Sequence, residues 1–235
     1  MTPTFKLSLL AVAAAASTLA QAQNYTTLTL PTLNADIRTW TDGATYNPIF
    51  PGTSTFNGVP FALAVDGQDN TVYHAGGSPG PLDIPVNVYG VTSAYSLINS
   101  AFGAAGTNVG SMEFFGSGGA YYKVALVEGT NVRDHYDGFY NNVIDGVTAI
   151  PAFDNGPGRA RLDQQIYNLP AAFATQTLTQ ITFNGLDTGI SGVPFIAAAT
   201  VAAVPEPGTW ALALAGLAAL AVVGRRRPRT SVTTG

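Results

Sequence analysis

The two histidines are the first candidates for metal or acid–base chemistry. His74 and His135 lie far apart in the sequence, and the patterns around them predict different structural elements. A zinc site built on histidine needs two or three imidazoles close together with a carboxylate. The sequence therefore predicts no metal site.

His135 has carboxylates on both sides, Asp134 and Asp137. That arrangement is compatible with a general base oriented by a carboxylate and paired with a serine. No Gly-x-Ser-x-Gly segment accompanies it. The sequence favours a polar loop between strands that is held by its own side-chain hydrogen bonds.

A glycoside hydrolase needs two carboxyl groups roughly 5–10 Å apart. The two glutamates between residues 23 and 204 are Glu113 and Glu128. The hairpin register derived below places Glu113 opposite Lys123 and Glu128 near Asn108, about 16 Å along the ladder. These glutamates therefore do not form a catalytic pair, although aspartates remain as an alternative, and no catalytic residue is predicted.

Two oxygen-rich loops have the composition of a calcium site. They are Asp66–Asn70 and Asp134–Asp137, and Ca²⁺ binds six to eight oxygen ligands. Neither matches an EF-hand loop, and Asp-Gly is a favoured turn sequence. The prediction is plain turns and no cofactor, with structural calcium as the alternative.

Exposed aromatic residues near amides and carboxylates are typical of a sugar-binding site. The sequence does not separate core from surface aromatics in a β-sandwich. The candidates are Trp40, Tyr46, Tyr73, Tyr136 and Tyr140.

The composition of residues 23–204 limits the function classes. Five cations stand against 13 acids, which gives a formal charge of 5 − 13 = −8. Nucleic acid is excluded as a partner because binding it requires clustered cations over the phosphates. Cysteine is absent from the chain, so packing without disulfides must hold the fold. The length suits one domain.

Apolar residues in this domain mostly alternate with polar ones. Period-two patterns and frequent Gly-containing turns are typical of short strands in a β-sandwich or jelly roll. The fold class is therefore predicted as all-β. The alternating pairs include Leu28 and Leu30, Phe61 and Leu63, Val86 and Val88, and Ile181 and Phe183.

The segment 110–126 predicts a hairpin whose register can be derived. With the turn centred on Gly118, Glu113 faces Lys123 on one side of the hairpin. The other side is apolar, with the pairs Phe114–Tyr122, Met112–Val124 and Gly110–Leu126.

One short helix is predicted over Ser93–Phe102. Ala94, Leu97, Ile98 and Ala101 recur at helical spacing, and Gly103 follows as a stop.

The first 22 residues have the organisation of a signal peptide. Lys6 precedes an apolar run over residues 7–16 that is too short to span a membrane. Ala20-Gln21-Ala22 is a small-x-small cleavage pattern, so we expect signal peptidase to cut before Gln23.

The C-terminal segment 205–229 has three parts in a fixed order. Pro205, Glu206 and Pro207 predict an extended segment. Residues 208–224 are apolar and predict a transmembrane helix of roughly 25 Å. Arg225, Arg226 and Arg227 then predict a cytoplasmic membrane stop.

This order resembles the sorting signal of PEP-CTERM proteins. The resemblance implies export, transient anchoring in the inner membrane, and recognition by an exosortase at Pro205, Glu206 and Pro207. An ordinary tail anchor is the alternative. The tail 230–235 departs from the pattern by extending beyond the arginines. Residues 97–137 are also similar to galactose-binding-like jelly rolls that precede such signals.

The sequence thus predicts an exported protein that ends at the cell surface or outside the cell. We expect a non-enzymatic surface or extracellular-matrix protein that binds exopolysaccharide. The alternative is a secreted hydrolase acting on polysaccharide, with aspartates or His135 in catalysis.

Overall fold

The computed structural model describes residues 23–155, 159–204 and 216–217. Residues 24–203 form one compact unit. The predicted signal peptide, Pro205 to Pro207, the arginine cluster and nearly all of the predicted membrane helix lie outside the described residues. Within those described ranges, no helix has the length and apolar character needed to cross a membrane.

Residues 24–203 are predominantly β-structure in the parts that the structure describes, and the helical segments there are short 3₁₀ turns. The strands are β1 Asn24–Leu28, β2 Gly52–Phe56, β3 Val59–Leu63, β4 Tyr73–His74, β5 Leu82–Tyr89, β6 Val91–Ala101, β7 Asn108–Gly116, β8 Tyr121–Val127, β9 Ala149–Asp154, β10 Arg161–Asn168, β11 Thr177–Gly185 and β12 Val193–Ala203. The 3₁₀ turns are Ile37–Thr39, Gly43–Tyr46, Ala171–Thr175 and Gly189–Ser191.

The strands form two main antiparallel sheets and a hairpin. One sheet has the order β1-β12-β6-β10-β9, with β4 also paired to β12. The other has the order β5-β11-β7-β8, and β2 pairs with β3. Ile98 and Ile196 from the larger sheet share a core with Phe114 and Phe183 from the smaller one. This face-to-face packing of two antiparallel sheets is compatible with the jelly-roll expectation.

A second core covers the opposite face of the larger sheet. Leu97 of β6 and Phe195 of β12 pack there with Phe61 of β3 and with Ile37 and Tyr46 from the 3₁₀ turns. The middle of the larger sheet is therefore buried on both faces, and every residue of β12 is buried.

The predicted helix over Ser93–Phe102 is wrong, because this segment forms β6. β6 pairs with β10 on one side and with β12 on the other. Leu97 enters one core while Ala94 and Ile98 enter the other. A strand that is buried on both faces does not show the alternation of apolar and polar residues that marks a half-exposed strand. In β6 the apolar residues instead recur at a spacing that is typical of a helix.

The predicted hairpin of β7 and β8 is confirmed from Gly110 onward, whereas a register shift before Gly110 pairs Asn108 with Val127 and not with Glu128. Phe114 pairs with Tyr122, and Glu113 pairs with Lys123. The Lys123 ammonium lies 2.9 Å from the Glu113 carboxylate. The pairs Met112–Val124 and Gly110–Leu126 are also as predicted. The predicted strands around Phe61, Val86 and Ile181 are present as β3, β5 and β11.

Candidate binding site

A cavity of about 790 Å³ lies at one side of the larger sheet, and most of its walls are aromatic. Its size falls in the range of small-molecule sites, which are typically apolar with a few polar groups. The lining residues are Ala35, Trp40, Thr41, His74, Ala101, Phe102, Asp134, His135, Tyr136, Phe139 and Tyr140.

Three parts of the fold supply this lining. Trp40 directly follows the 3₁₀ turn Ile37–Thr39, which the Asp36 carboxylate stabilises by accepting a hydrogen bond from Arg38 N at 3.0 Å. His74 ends β4, and Ala101 ends β6. Ala35 and Thr41 lie on either side of the same 3₁₀ turn, and Phe102 directly follows β6. The remaining five residues come from the segment 128–148 between β8 and β9, hereafter the β8–β9 loop.

Trp40 lies against both histidine rings. Its ring centroid is 4.9 Å from that of His74 and 5.3 Å from that of His135, both edge-on. The two histidines therefore line one cavity, which their separation in the sequence did not predict. Across the residues that the structure describes, no group of three or more metal-ligating side chains is present.

The imidazole of His135 is held by a tyrosine. Its Nδ1 lies 3.2 Å from the hydroxyl of Tyr46, and that hydroxyl donates its one hydrogen to the Arg161 carbonyl at 2.7 Å. His135 Nδ1–H must therefore be the donor to Tyr46, which leaves Nε2 as the acceptor nitrogen. Burial, followed by the positive charge of Arg161, lowers the pKa of His135 to about 4, so the ring is neutral near pH 7.

This geometry does not support a base oriented by a flanking carboxylate. The Asp134 carboxylate accepts a hydrogen bond from Tyr136 N, and Asp137 forms an ion pair with Arg161 at 3.5 Å. Burial raises the pKa of Asp134 to about 6. The position that a catalytic carboxylate would occupy beside His135 Nδ1 is taken by Tyr46.

The β8–β9 loop is anchored to the larger sheet by buried charges. Arg133 donates two hydrogen bonds to the Asp163 carboxylate of β10, at 2.6 and 2.7 Å. Arg161, also on β10, donates to the Asp134 carbonyl at 3.0 Å and to Asn142 Oδ1. Bidentate guanidinium–carboxylate pairs fix geometry as well as charge. The predicted loop is therefore present, but strand residues hold it in addition to its own side chains.

Glu128 at the start of this loop is fully buried, a feature that the sequence did not reveal. Its carboxylate accepts hydrogen bonds from Ser100 Oγ at 2.5 Å and Asn141 Nδ2 at 2.8 Å. Burial raises its pKa to about 7. Glu128 is not among the residues that line the cavity.

The structure separates the aromatic candidates into core and surface. Tyr46 and Tyr73 are buried in the cores, whereas Trp40, Tyr136 and Tyr140 line the cavity. The sequence missed Phe102 and Phe139, which line it as well. Phe102 packs edge-on against Tyr140 with centroids 5.0 Å apart, and Phe139 is fully exposed.

The Asp66 loop forms a turn closed by its own carboxylate. Asp66 Oδ1 accepts hydrogen bonds from Gln68 N at 2.8 Å and from Asn70 N at 2.9 Å. This is the usual conformation of an aspartate at a turn.

A comparison with protein families identifies the C-terminal segment. The model of the PEP-CTERM protein-sorting motif matches residues 203–227. The match contains Pro205, Glu206 and Pro207 together with Arg225, Arg226 and Arg227, and it begins at Ala203, the last residue of β12. A search of the curated proteins finds no match. The chain therefore carries a PEP-CTERM protein-sorting motif, which supports sorting toward the cell surface through an exosortase.

Proposed function

We propose that this protein is a non-enzymatic component of the cell surface or extracellular matrix that binds exopolysaccharide in the aromatic cavity. Signal peptidase removes residues 1–22, and the domain is then held briefly at the inner membrane by its C-terminal segment. Exosortase processing at Pro205, Glu206 and Pro207 releases it to the surface or the exterior.

The aromatic lining of the cavity is the observation that carries the binding proposal. Trp40, Tyr136 and Tyr140 offer flat faces with polar tips, and Phe139 is exposed at the same place. Flat aromatic faces can stack on sugar rings, while the polar tips and ring nitrogens remain available for hydroxyl groups. A few such polar groups in an aromatic cavity are sufficient to orient a ligand.

The placement of the acids supports binding without catalysis. Glycoside hydrolysis uses two carboxyl groups across the bond that is cleaved. Of the described residues that line the cavity, Asp134 is the one with a carboxyl group. The carboxylate of Glu128 is occupied by Ser100 and Asn141 instead.

Affinity electrophoresis of the full-length chain, through gels containing surface polysaccharide from the producing cells, tests the proposal. We expect retardation of the wild type, and binding about tenfold weaker for Tyr140→Ala, equivalent to about 1.4 kcal/mol. Tyr89→Ala is the matched control, since Tyr89 is similarly exposed but lies on β5 of the other sheet. Unretarded wild-type protein would contradict the binding proposal and leave a structural role.

The alternative is a polysaccharide hydrolase, for which the candidate residues are Asp134 and His135 because both line the cavity. Reducing-end release from the same polysaccharide measures turnover. Activity that is abolished by Asp134→Ala or His135→Ala would establish the hydrolase and overturn the non-enzymatic proposal. Activity that survives both changes would exclude these residues from catalysis.

A further inference from the structure

The described lining of the cavity carries a negative charge near neutral pH. Burial lowers the pKa values of His74 and His135, so both rings are uncharged. Asp134 is ionised because its pKa is about 6. Lysine and arginine are absent from the described residues that form the walls. Asp134 is therefore the single acidic residue in the described lining, and most of its neighbours in that lining are aromatic.

The cations of the domain are already paired with carboxylates, including those nearest the cavity. Arg161, which faces Asp134 from β10, also contacts Asp137 and Asn142. The pairs across residues 23–204 are Arg38–Asp36, Lys123–Glu113, Arg133–Asp163, Arg159–Asp42 and Arg161–Asp137. An anionic sugar would thus enter the cavity without an uncommitted cation to neutralise it.

The aromatic walls favour a positively charged ligand. The face of an aromatic ring is electrically negative and attracts ammonium groups. Trp40, the best ring for this interaction, lies in the wall together with Phe102 and Tyr140. Over a longer range, the formal charge of 5 − 13 = −8 on residues 23–204 attracts cations and repels polyanions.

We propose that the cavity takes a sugar unit that carries a free amino group, with the carboxylate of Asp134 as the counter-charge for its ammonium. This inference rests on the proposed exopolysaccharide binding and names the class of polysaccharide. A polymer with unacetylated amino sugars fits the cavity, and a polyuronate does not. Asp134 acts here by contact with the ligand and has no catalytic role.

Binding of three oligosaccharides of equal length to the full-length chain in detergent tests the inference. The probes are glucosamine, N-acetylglucosamine and galacturonate oligomers, measured by calorimetry near neutral pH. We expect the glucosamine oligomer to bind about tenfold more tightly than the acetylated one, and the galacturonate oligomer to show no measurable binding. Asp134→Asn should remove the preference for the amine, whereas Asp83→Asn on β5 should retain it, although both remove one negative charge.

The wild type provides a second measurement that does not depend on the folding of a variant. Raising the salt concentration should weaken binding of the glucosamine oligomer and leave the acetylated oligomer nearly unchanged, because salt screens the ammonium–carboxylate attraction. Equal affinity for the two oligomers, or a preference that persists in folded Asp134→Asn, overturns this inference alone. Failure of all three probes and of the producing cells' polysaccharide overturns the binding proposal itself.

Discussion

The buried carboxyl groups near the cavity differ in what compensates their charge. Asp163 receives two hydrogen bonds from the Arg133 guanidinium. Glu128 is just as buried, but its two partners, Ser100 and Asn141, are neutral. Neutral donors offset part of the cost of burying a negative charge, and the rest raises the pKa of Glu128 to about 7.

Glu128→Gln tests this difference through the pH dependence of stability. Between about pH 4.5 and 7 the folded state holds the Glu128 proton and the unfolded chain releases it, so the contribution of Glu128 to the free energy of unfolding falls as pH rises. The lost amount is about 3 kcal/mol and is complete above about pH 7. The variant should therefore gain stability relative to wild type across this window, measured by urea unfolding at successive pH values.

Glu113→Gln is the control for that experiment. Hydrogen bonds, the largest from Lys123, lower the pKa of Glu113 in the folded state. The contribution of Glu113 to the free energy of unfolding therefore has the opposite sign. It is present above the pKa of the unfolded chain and is lost as the pH falls through the pKa of the folded state. His135 also makes stability depend on pH, because its lowered pKa removes stability as the pH falls from about 6.5 toward 4. This effect is the same in wild type and in Glu128→Gln, so it cancels in the difference between them. A difference between wild type and Glu128→Gln that does not vary with pH would contradict the assignment.

At the scale of elements, the β8–β9 loop depends on its attachment to β10. That attachment is the Arg133–Asp163 pair, in which the Asp163 side chain is completely buried. Removing one partner of a buried pair leaves an uncompensated charge, and it costs about 3–5 kcal/mol. The same loop contributes Asp134, His135 and Tyr136 to the cavity.

Asp163→Ala is therefore expected to lower the free energy of unfolding by about 3–5 kcal/mol and to weaken ligand binding through displacement of the loop. The comparison is Glu113→Ala, which removes the partner of Lys123 in a more exposed pair and should cost about 1 kcal/mol or less. Chemical unfolding measures both. Similar losses in the two variants would mean that the Arg133–Asp163 pair does not anchor the loop.

The elements that the sequence predicted correctly are those with one face toward a core and one toward solvent. β7 and β8 alternate in this way, so the pairing of Glu113 with Lys123 followed from the pattern. β6 has apolar side chains in both cores, so its sequence pattern predicts a helix although the segment is a strand. β10 buries Asp163 and Gln165 in hydrogen bonds, and such polar residues are usually exposed.

The site was predictable only as a set of unsorted candidates. Chemical type alone makes Trp40, Tyr136 and Tyr140 candidates. His74 joins them because β4 pairs with β12, a contact between distant parts of the chain that no local pattern contains. Phe139 is exposed at the cavity, a position that sequence alone does not distinguish from the core.

At the scale of the whole molecule, the two ends of the folded domain meet. β1 runs antiparallel to β12, and Asn24 is paired with Ala203. The predicted signal-peptide cleavage site is therefore one residue before a strand whose partner leads directly into the sorting motif at residues 203–227.

The mature C-terminus tests the processing of that motif. Mass spectrometry of the exported protein should find the apolar segment from Trp210 onward missing, because an exosortase acts near Pro205 to Pro207. Alanine at Pro205, Glu206 and Pro207 should retain the full C-terminus. Alanine at Thr233 and Thr234, in the tail beyond the arginines, should leave processing intact. A wild-type product ending at Gly235 would indicate a plain tail anchor.

The position of β12 determines how the domain would bear mechanical load. A pull on the chain beyond Ala203 acts along a strand that has hydrogen-bonded neighbours on both sides, β1 and β6. Antiparallel hydrogen bonds lie across the strand direction, so such a force shears many of them together and does not open them one at a time. A domain held by this strand in flowing liquid would resist extraction better than one attached through an edge strand with a single neighbour.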